Sequence, residues 1–318
     1  MSAVDLSVIV VNYNTAHLLP AMFEALERAA TGLALQVIVV DNASNDGSAA
    51  LIRERWPQVQ LIANQVNVGF GRANNQAIPL LHGRHVLLLN TDAFVSPDTL
   101  GKTLAYMRAH PDCGVLGVRL VGRDGVQQPS CRRFPTPANT FLMRTGLARW
   151  VPWVHTVDDP RWDPARSRDC DWVPGCYYLM PREVVERVGL FDPRFFLYSE
   201  EVDHCKRVRQ AGWRVHYFAE TTVVHLGGES AKTVSEITQW GRQISALQIE
   251  SELLFFRKHH GALGVWAALL LTALADAYLA LKWIVKRRGI AGTRAYWKHA
   301  ITAWSLFRHT QWATCPTR

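Results

Sequence analysis

The sequence predicts an α/β fold, a Rossmann-like, doubly wound and mostly parallel sheet, followed by a helical, basic, membrane-associating tail. Three observations predict it. Short β-branched runs alternate with helix-like apolar spacing through the first hundred residues. The runs close on polar residues, mostly Asn and Asp. Positive charge and a long apolar run gather together beyond Arg257.

Leu6–Val11, Gln36–Val40, Val59–Ala63 and His85–Leu89 are largely apolar, as strands of a sheet covered on both faces must be. Between them, residues 18–30, 48–55 and 71–81 space their apolar side chains as helices do. Strand, helix, strand repeated three times is the pattern of a doubly wound layer, whose ligands bind beyond the carboxyl ends of the strands. Those ends read Asn12-Tyr13-Asn14, Asp41-Asn42, Asn64 to Gly69 and Asn90-Thr91-Asp92. Each by itself is equally a turn or a site; four on one sheet edge favour a site.

Beyond Asp92 the pattern changes. Ser96-Pro97 starts a helix reaching about His110, with proline where its missing N–H costs nothing. Gly122-Arg123-Asp124-Gly125 suggests a hairpin turn. The Trp- and Pro-rich stretch 134–168 reads as irregular, and loops of that length are usually functional. Regular structure resumes over 171–180, with helices at 181–188 and 201–211 and a strand at 213–218.

The 318 residues bury one substantial core with room for an appendage, and 48% hydrophobic against 19% charged argues against disorder. Six scattered cysteines without a C-x-x-C pair read as reduced thiols of a cytosolic protein. No basic stretch precedes Leu6–Val11, so no leader is expected. The net charge of +8 is uneven: from Arg257 onward ten Lys or Arg stand against Asp276 alone, giving the tail +9 and the body −1.

The position after the first strand holds Asn-Tyr-Asn-Thr rather than Gly-x-Gly-x-x-Gly, and no Walker lysine loop is present, which excludes dinucleotide and P-loop chemistry. Asn90-Thr91-Asp92 closes an apolar strand, where a carboxylate can hold a hard divalent cation against a diphosphate or simply stabilise a turn. Tyr198-Ser199-Glu200-Glu201-Val202-Asp203 opens a helix. Its acids complement the helix dipole or, crowded together, raise one another's pKa as a general base requires. His225, before Leu226-Gly227-Gly228, is a strand-end imidazole whose default role is structural.

Taken together the chain resembles the family 2 inverting glycosyltransferases of GT-A fold, in their bacterial rhamnosyltransferase-like branch. The matching segments are SVIVVNYN (7–14), VIVVDNASNDGS (37–48), NVGFGRANNQAI (67–78), LLLNTDAFV (87–95), the run 172–215 and VHLGGES (224–230). Residue by residue, the resemblance implies that Asn12, Asn14 and Asp41 surround the base and ribose of a nucleotide sugar. It implies that Asn67, Arg72, Asn75 and Thr91 hold the nucleotide, Arg72 near the diphosphate. Asp92 falls at the last position of an Asp-x-Asp-like motif begun by Asn90, and with His225 binds Mg²⁺ or Mn²⁺. Gly175, Cys176 and Glu200 face the acceptor. Glu201 stands where the family usually has the aspartate base, and Asp203 is the alternative base.

The implied reaction is a single displacement. Glu201 deprotonates an acceptor hydroxyl, the configuration inverts, and the cation stabilises the departing diphosphate. The branch favours dTDP-L-rhamnose as donor and a glycan or lipid-linked acceptor in cell-surface polysaccharide synthesis. A nucleotidyltransferase would share the nucleotide and cation but should carry a Gly- and Lys-rich loop after the first strand. A non-catalytic sugar-nucleotide-binding protein is the reading favoured by Glu in place of Asp at 201. The catalytic domain is expected over 1–256 and the tail over 257–318. In the tail, the apolar run Leu263–Ile284 is of spanning length. Asp276 lies near its middle and cations flank it on both sides, which fits a helix lying in the membrane interface better than a span. Peripheral attachment to the cytoplasmic face of the bacterial inner membrane follows as the expectation, with oligomers possible. Nucleic acid is not expected as a partner, since no aromatic-and-basic recognition motif is present.

Overall fold

The structure, a computed structural model, describes residues 4–151, 153–227, 246–286 and 290–318. The chain divides into two compact units: Met1–Arg132 with Pro160–Pro193 and Glu200–Thr233, and Arg133–Asp159 with Arg194–Ser199 and Val234–Arg318.

The first unit holds the sheet. In chain order its elements are β1 (Leu6–Asn12), α1 (Leu19–Ala29), β2 (Leu35–Asp41), α2 (Ser48–Arg55), β3 (Gln60–Ala63), α3 (Phe70–Gln76), β4 (His85–Leu89), β5 (Ala93–Val95), α4 (Thr99–Ala109), β6 (Cys113–Val121) and β7 (Gln127–Gln128). After residues of the second unit it continues with β8 (Arg168–Asp169), β9 (Tyr177–Pro181), α6 (Arg182–Val188), α7 (Glu200–Gln210) and β10 (Arg214–His225). The sheet runs β3-β2-β1-β4-β9-β6-β10-β5, with β7 on β6 and β8 on β10. The first four strands pair in parallel, as the alternating pattern requires. Apolar side chains on their faces, among them Val8, Val10, Val39, Leu87 and Leu89, pack on Leu19, Met22, Phe23 and Leu26 of α1.

Register carries the strand ends to one edge. Asn12 pairs with Asp41 and Asp41 with Ala63, so the polar residues that close β1 and β2 lie abreast, and Asn64 after β3 joins them by donating its N–H to the Asp41 carbonyl (2.9 Å). Two features were not foreseen. β9 enters antiparallel between β4 and β6, so the sheet is mixed. β10 runs on to His225, beyond the expected end at Phe218, and pairs there with β5, which is too short to show a period.

The second unit is helical: α5 (Pro137–Thr145), α8 (Ala246–Val285) and α9 (Arg294–His309). The stretch expected to be irregular thus contains a helix. Thr136 caps it, its hydroxyl accepting from Asn139 N (3.1 Å) while the side-chain Oδ1 of Asn139 accepts from Thr136 N (2.8 Å). Gly146, at φ 74°, ends it. α8 begins ahead of Arg257 and breaks helical geometry at Gly261 (φ 68°, ψ −166°), a left-handed backbone that glycine tolerates.

Asp276, read from sequence as a charge that membrane insertion would have to bear, is only 2% exposed. It pairs with Arg144, and His299 Nδ1 lies 2.9 Å from its Oδ2. The charge is therefore matched inside the unit. The Glu250 carboxylate accepts from the backbone N–H and hydroxyl of Thr317, both at 2.7 Å, which fixes the chain's end to α8.

Candidate active site

The edge formed by β1, β2 and β4 is built from amides, carboxylates and hydroxyls that satisfy one another. Asn12, fully buried, donates from Nδ2 to Asp41 Oδ1 (2.7 Å) and to Ser44 Oγ (3.0 Å), and its Oδ1 accepts from Thr15 (2.7 Å). Thr15 also bonds Thr91 (2.9 Å). Asn14 has positive φ (53°), receives Asn45 N on its side chain (2.8 Å) and donates its own N–H to Ser44 (3.0 Å). Asn12, Asp41 and Thr91 are thus a braced floor, whereas Asn14 lies at the rim. Ser44, which ties Asn12 to Asn14, was not singled out from sequence.

A second amide network surrounds the start of α3. Asn42 donates to Asn67 Oδ1 (2.8 Å) and accepts from Val68 N (3.0 Å), and Asn67 Oδ1 also accepts from Gly69 N (2.9 Å). Asn67 therefore holds the Gly69 turn, whose φ of 89° suits glycine. Asn75 uses both ends of its amide on Phe191, donating to its carbonyl (2.7 Å) and accepting from its N–H (3.0 Å). Arg72 donates from Nε to the Pro193 carbonyl (2.8 Å). Arg72 and Asn75 lie on α3 and Asn67 in the turn that opens it, with Asn75 committed to the backbone.

Asp92 and His225 lie 133 positions apart in sequence and meet because β5 and β10 pair, His225 opposite Ala93. Asp92, 5% exposed, stands with Oδ1 3.6 Å from His225 Nε2. That is too long for a hydrogen bond and short enough for both to touch one ion. Gln128 decides the tautomer. Its amide N donates to the His225 carbonyl (2.8 Å), so its oxygen faces Nδ1 (2.8 Å), which must then donate. In the neutral ring Nε2 is then the nitrogen with the lone pair, the form that ligates metal. Among the described residues no group of three or more His, Cys, Asp or Glu could hold a metal ion. One carboxylate and one imidazole nevertheless suit a divalent cation that completes its shell with phosphate oxygens and water. Of the motif 224–230, residues 228–230 lie outside the described residues.

The acids at the start of α7 face a different environment. Glu200 is 4% exposed and Glu201 half-buried, and Oε2 of each is buried without a hydrogen-bond partner. Burial pushes the Glu200 carboxyl well above the ordinary glutamate range, with Glu201 adding repulsion. Burial also raises Glu201, opposed in part by Arg132. The Arg132 guanidinium stacks over Trp172 at 4.3 Å, a feature that carries no motif in the sequence. Gly175 borders Glu201: a Cβ there would lie 3.8 Å from that of Glu201. Cys176 is buried, its thiol pKa raised by burial, and its carbonyl accepts from Asn90 N (3.0 Å), so it shapes the Asn90–Asp92 turn rather than offering a thiolate. Asp203, the alternative base, is fully buried and binds Arg207 Nε (2.8 Å), which also anchors the Val188 carbonyl. It is sealed from solvent and committed to an ion pair.

The mixed, mostly parallel sheet with Asn and Asp along one edge is a GT-A fold. The model described as glycosyl transferase family 2 matches residues 7–162, so the chain carries a domain of that family. It is 29% identical over 238 residues to the N-acetylglucosaminyl-diphospho-decaprenol L-rhamnosyltransferase of Mycobacterium tuberculosis, covering 69% of this chain and 75% of that one. It is 24% identical over 167 residues to the rhamnosyltransferase WbbL of Escherichia coli, covering 49% of this chain and 60% of that one. The fold is shared with the mannosyltransferase PcManGT of Pyrobaculum calidifontis, solved with GDP-Man and Mn²⁺: TM-score 0.54, 17% identity, 97% of this chain and 87% of that one. The family 2 domain sets aside the nucleotidyltransferase alternative.

Proposed function

We propose that the enzyme is an inverting, cation-dependent transferase. It moves L-rhamnose from dTDP-L-rhamnose to a hydroxyl of a lipid-linked glycan, in cell-surface polysaccharide synthesis at the cytoplasmic face of the bacterial inner membrane. The observation that carries the proposal is the Asp92–His225 pair with its Gln128-fixed tautomer. The rhamnosyl donor and lipid-linked acceptor rest on the relatives, whose names specify rhamnosyl transfer and, in one case, a diphospho-decaprenol acceptor.

Asn14, Asp41, Asn67 and Thr91 line or brace the nucleotide's place, Arg72 adds charge toward the diphosphate, and Asn75 positions the chain around Phe191. Asp92 and His225 would hold Mg²⁺ or Mn²⁺, which when bound neutralises charge on the departing diphosphate. Glu201 accepts the acceptor hydroxyl's proton as its oxygen bonds the anomeric carbon and the bond to the diphosphate breaks on the opposite face. Its buried setting raises its proton affinity, as a base requires. Gly175 leaves room beside it for the acceptor.

A panel of nucleotide sugars tested for thermal stabilisation with Mn²⁺ or Mg²⁺ checks the proposal. Saturation at 100 times Kd stabilises by about 2.7 kcal/mol. The matching donor should stabilise the wild type only with metal, and Asp92→Ala should abolish that effect and turnover while melting normally without ligand. An Asp92→Ala enzyme with unchanged metal-dependent donor binding refutes the assignment.

A further inference from the structure

The second unit contains a cavity of about 770 Å³ among α5, α8 and α9, which the transfer reaction does not use. Its size is that of a site for an organic ligand. Phe141, Leu253, Leu269 and Leu279 supply apolar walls. Trp283 closes part of it and lies so tightly on Gly292 that a Cβ there would come within 2.3 Å of the ring. The polar lining is uneven. Arg144 and His299 are matched by Asp276 behind them. Glu252, also in the wall, is driven toward its neutral form by burial. Lys282 near the end of α8 and Lys286 just past it also line the cavity, and among the described residues neither has an acidic partner, Lys282 lying over the Tyr278 ring at 5.7 Å. The result is an apolar chamber with two ammonium groups, close in sequence, that no described acid pairs.

The opposite face of α8 is apolar and bare. Leu263, Leu270, Leu274, Leu281 and Ile284 are all exposed and fall on one helical stripe. A helix with a lipid-facing stripe on one side and an apolar chamber with cations on the other suits an amphiphile taken from a bilayer.

We propose that this cavity holds the hydrocarbon chain of a lipid phosphate, the carrier of the acceptor glycan, with the phosphate bound by Lys282 and Lys286. The identity of the lipid as acceptor carrier rests on the proposed transferase function; the binding itself does not. The chain satisfies the apolar walls without polar partners, and the phosphate satisfies two cations that no described acid pairs.

Calorimetry on the full chain, in EDTA so that the Asp92–His225 pair cannot recruit a metal–diphosphate complex, tests this with farnesyl diphosphate as probe. Farnesyl diphosphate should bind, and farnesol and inorganic diphosphate should each bind roughly tenfold more weakly or worse. Lys282→Glu with Lys286→Glu should weaken farnesyl diphosphate roughly tenfold. Thr272→Phe, which fills the chamber, should do the same. Unchanged affinity in the double Lys variant, or farnesol binding as tightly as the diphosphate, overturns the phosphate site. Inorganic diphosphate binding as tightly as farnesyl diphosphate overturns the chain site. Metal-dependent stabilisation by the nucleotide sugar, measured on the same variants, should not change. Its absence in the wild type would sink the transferase proposal while leaving the cavity result to stand by its own numbers.

Discussion

Glu201 shows what burial does to one carboxyl. Glutamate ordinarily titrates near 4.5, and here desolvation lifts it while Arg132 pulls the other way. A base acts in its deprotonated form, so the rate should climb with pH through the raised value and level off above it. Glu201→Gln should lower kcat by about 10²–10⁴-fold and erase that acidic limb, while donor stabilisation with metal stays as in the wild type. Steady-state rates across pH check both parts. A Glu201→Gln enzyme with the wild-type profile would remove Glu201 from the base role. Asp203 would not inherit it easily, because its carboxylate is already bound by Arg207. The longer Glu in the position the family gives to Asp is accommodated beside Gly175, which presents no side chain to it.

At the scale of elements, the proposed metal pair depends on strands from three separate stretches of the sequence. β5 supplies the turn after Asp92, β10 delivers His225 opposite it, and β7 brings Gln128 to fix the imidazole. Gln128 is a positioning residue. Gln128→Ala should leave both ligands in place but release the ring's tautomer and orientation. Loss of such a partner typically weakens metal binding 10–100-fold. The concentration of Mn²⁺ needed for half-maximal stabilisation by donor should rise by about that factor, with the ligand-free melting temperature little changed. An unchanged Mn²⁺ requirement would mean that Gln128 does not set the ring. The parallel half, β1 to β4, was legible because an apolar run between helical patterns has few other solutions. In the other half the regular structure at 171–180, the strand from 213 and the hairpin turn at 122–125 were legible, but β5, β7 and β8, of three, two and two residues, were not. A run that short shows no periodicity, and only pairing makes it a strand.

For the molecule as a whole, charge and apolar surface gather in the second unit. Besides the stripe on α8, Trp266, Trp297, Ile301, Trp304 and Trp312 are exposed, and basic residues adjoin them. Soluble surfaces seldom carry this much bare apolar area without a partner, and Trp with Lys and Arg fits a bilayer interface. Removing 257–318 is a poor test, because it cuts through α8 and uncovers Leu253, Leu254, Phe255 and Phe256. Leu270→Asp with Leu274→Asp changes only exposed side chains. It should reduce partitioning onto vesicles containing anionic lipid roughly tenfold or more, since each buried leucine contributes about 1.5–3 kcal/mol. Added salt should weaken the wild type's binding only in part, because screening acts on the basic residues and not on the apolar stripe. Sedimentation of the double variant at wild-type levels would place the contact elsewhere.

The sequence by itself determined the doubly wound half of the sheet, the polar strand ends, the acids opening α7 and the charge of the tail. Each is a local pattern, and local patterns follow from hydrophobic period and turn chemistry. Likeness of motif also marked Asp92, His225 and Glu201, but not Ser44, Gln128 or Arg132, which brace or border them. Which of the marked residues are exposed to a ligand was a tertiary matter. Asn12 and Asn75 have their amides taken by Asp41 and by the Phe191 backbone, and Asp203 is locked to Arg207. Asp276, costly when read along the chain, is matched by Arg144 and His299 from 132 residues earlier and 23 later. Sequence order carries no information about such partners. Only the packing that removes a polar group from water decides whether it meets a counter-charge, and therefore whether it is a cost, a brace or a site.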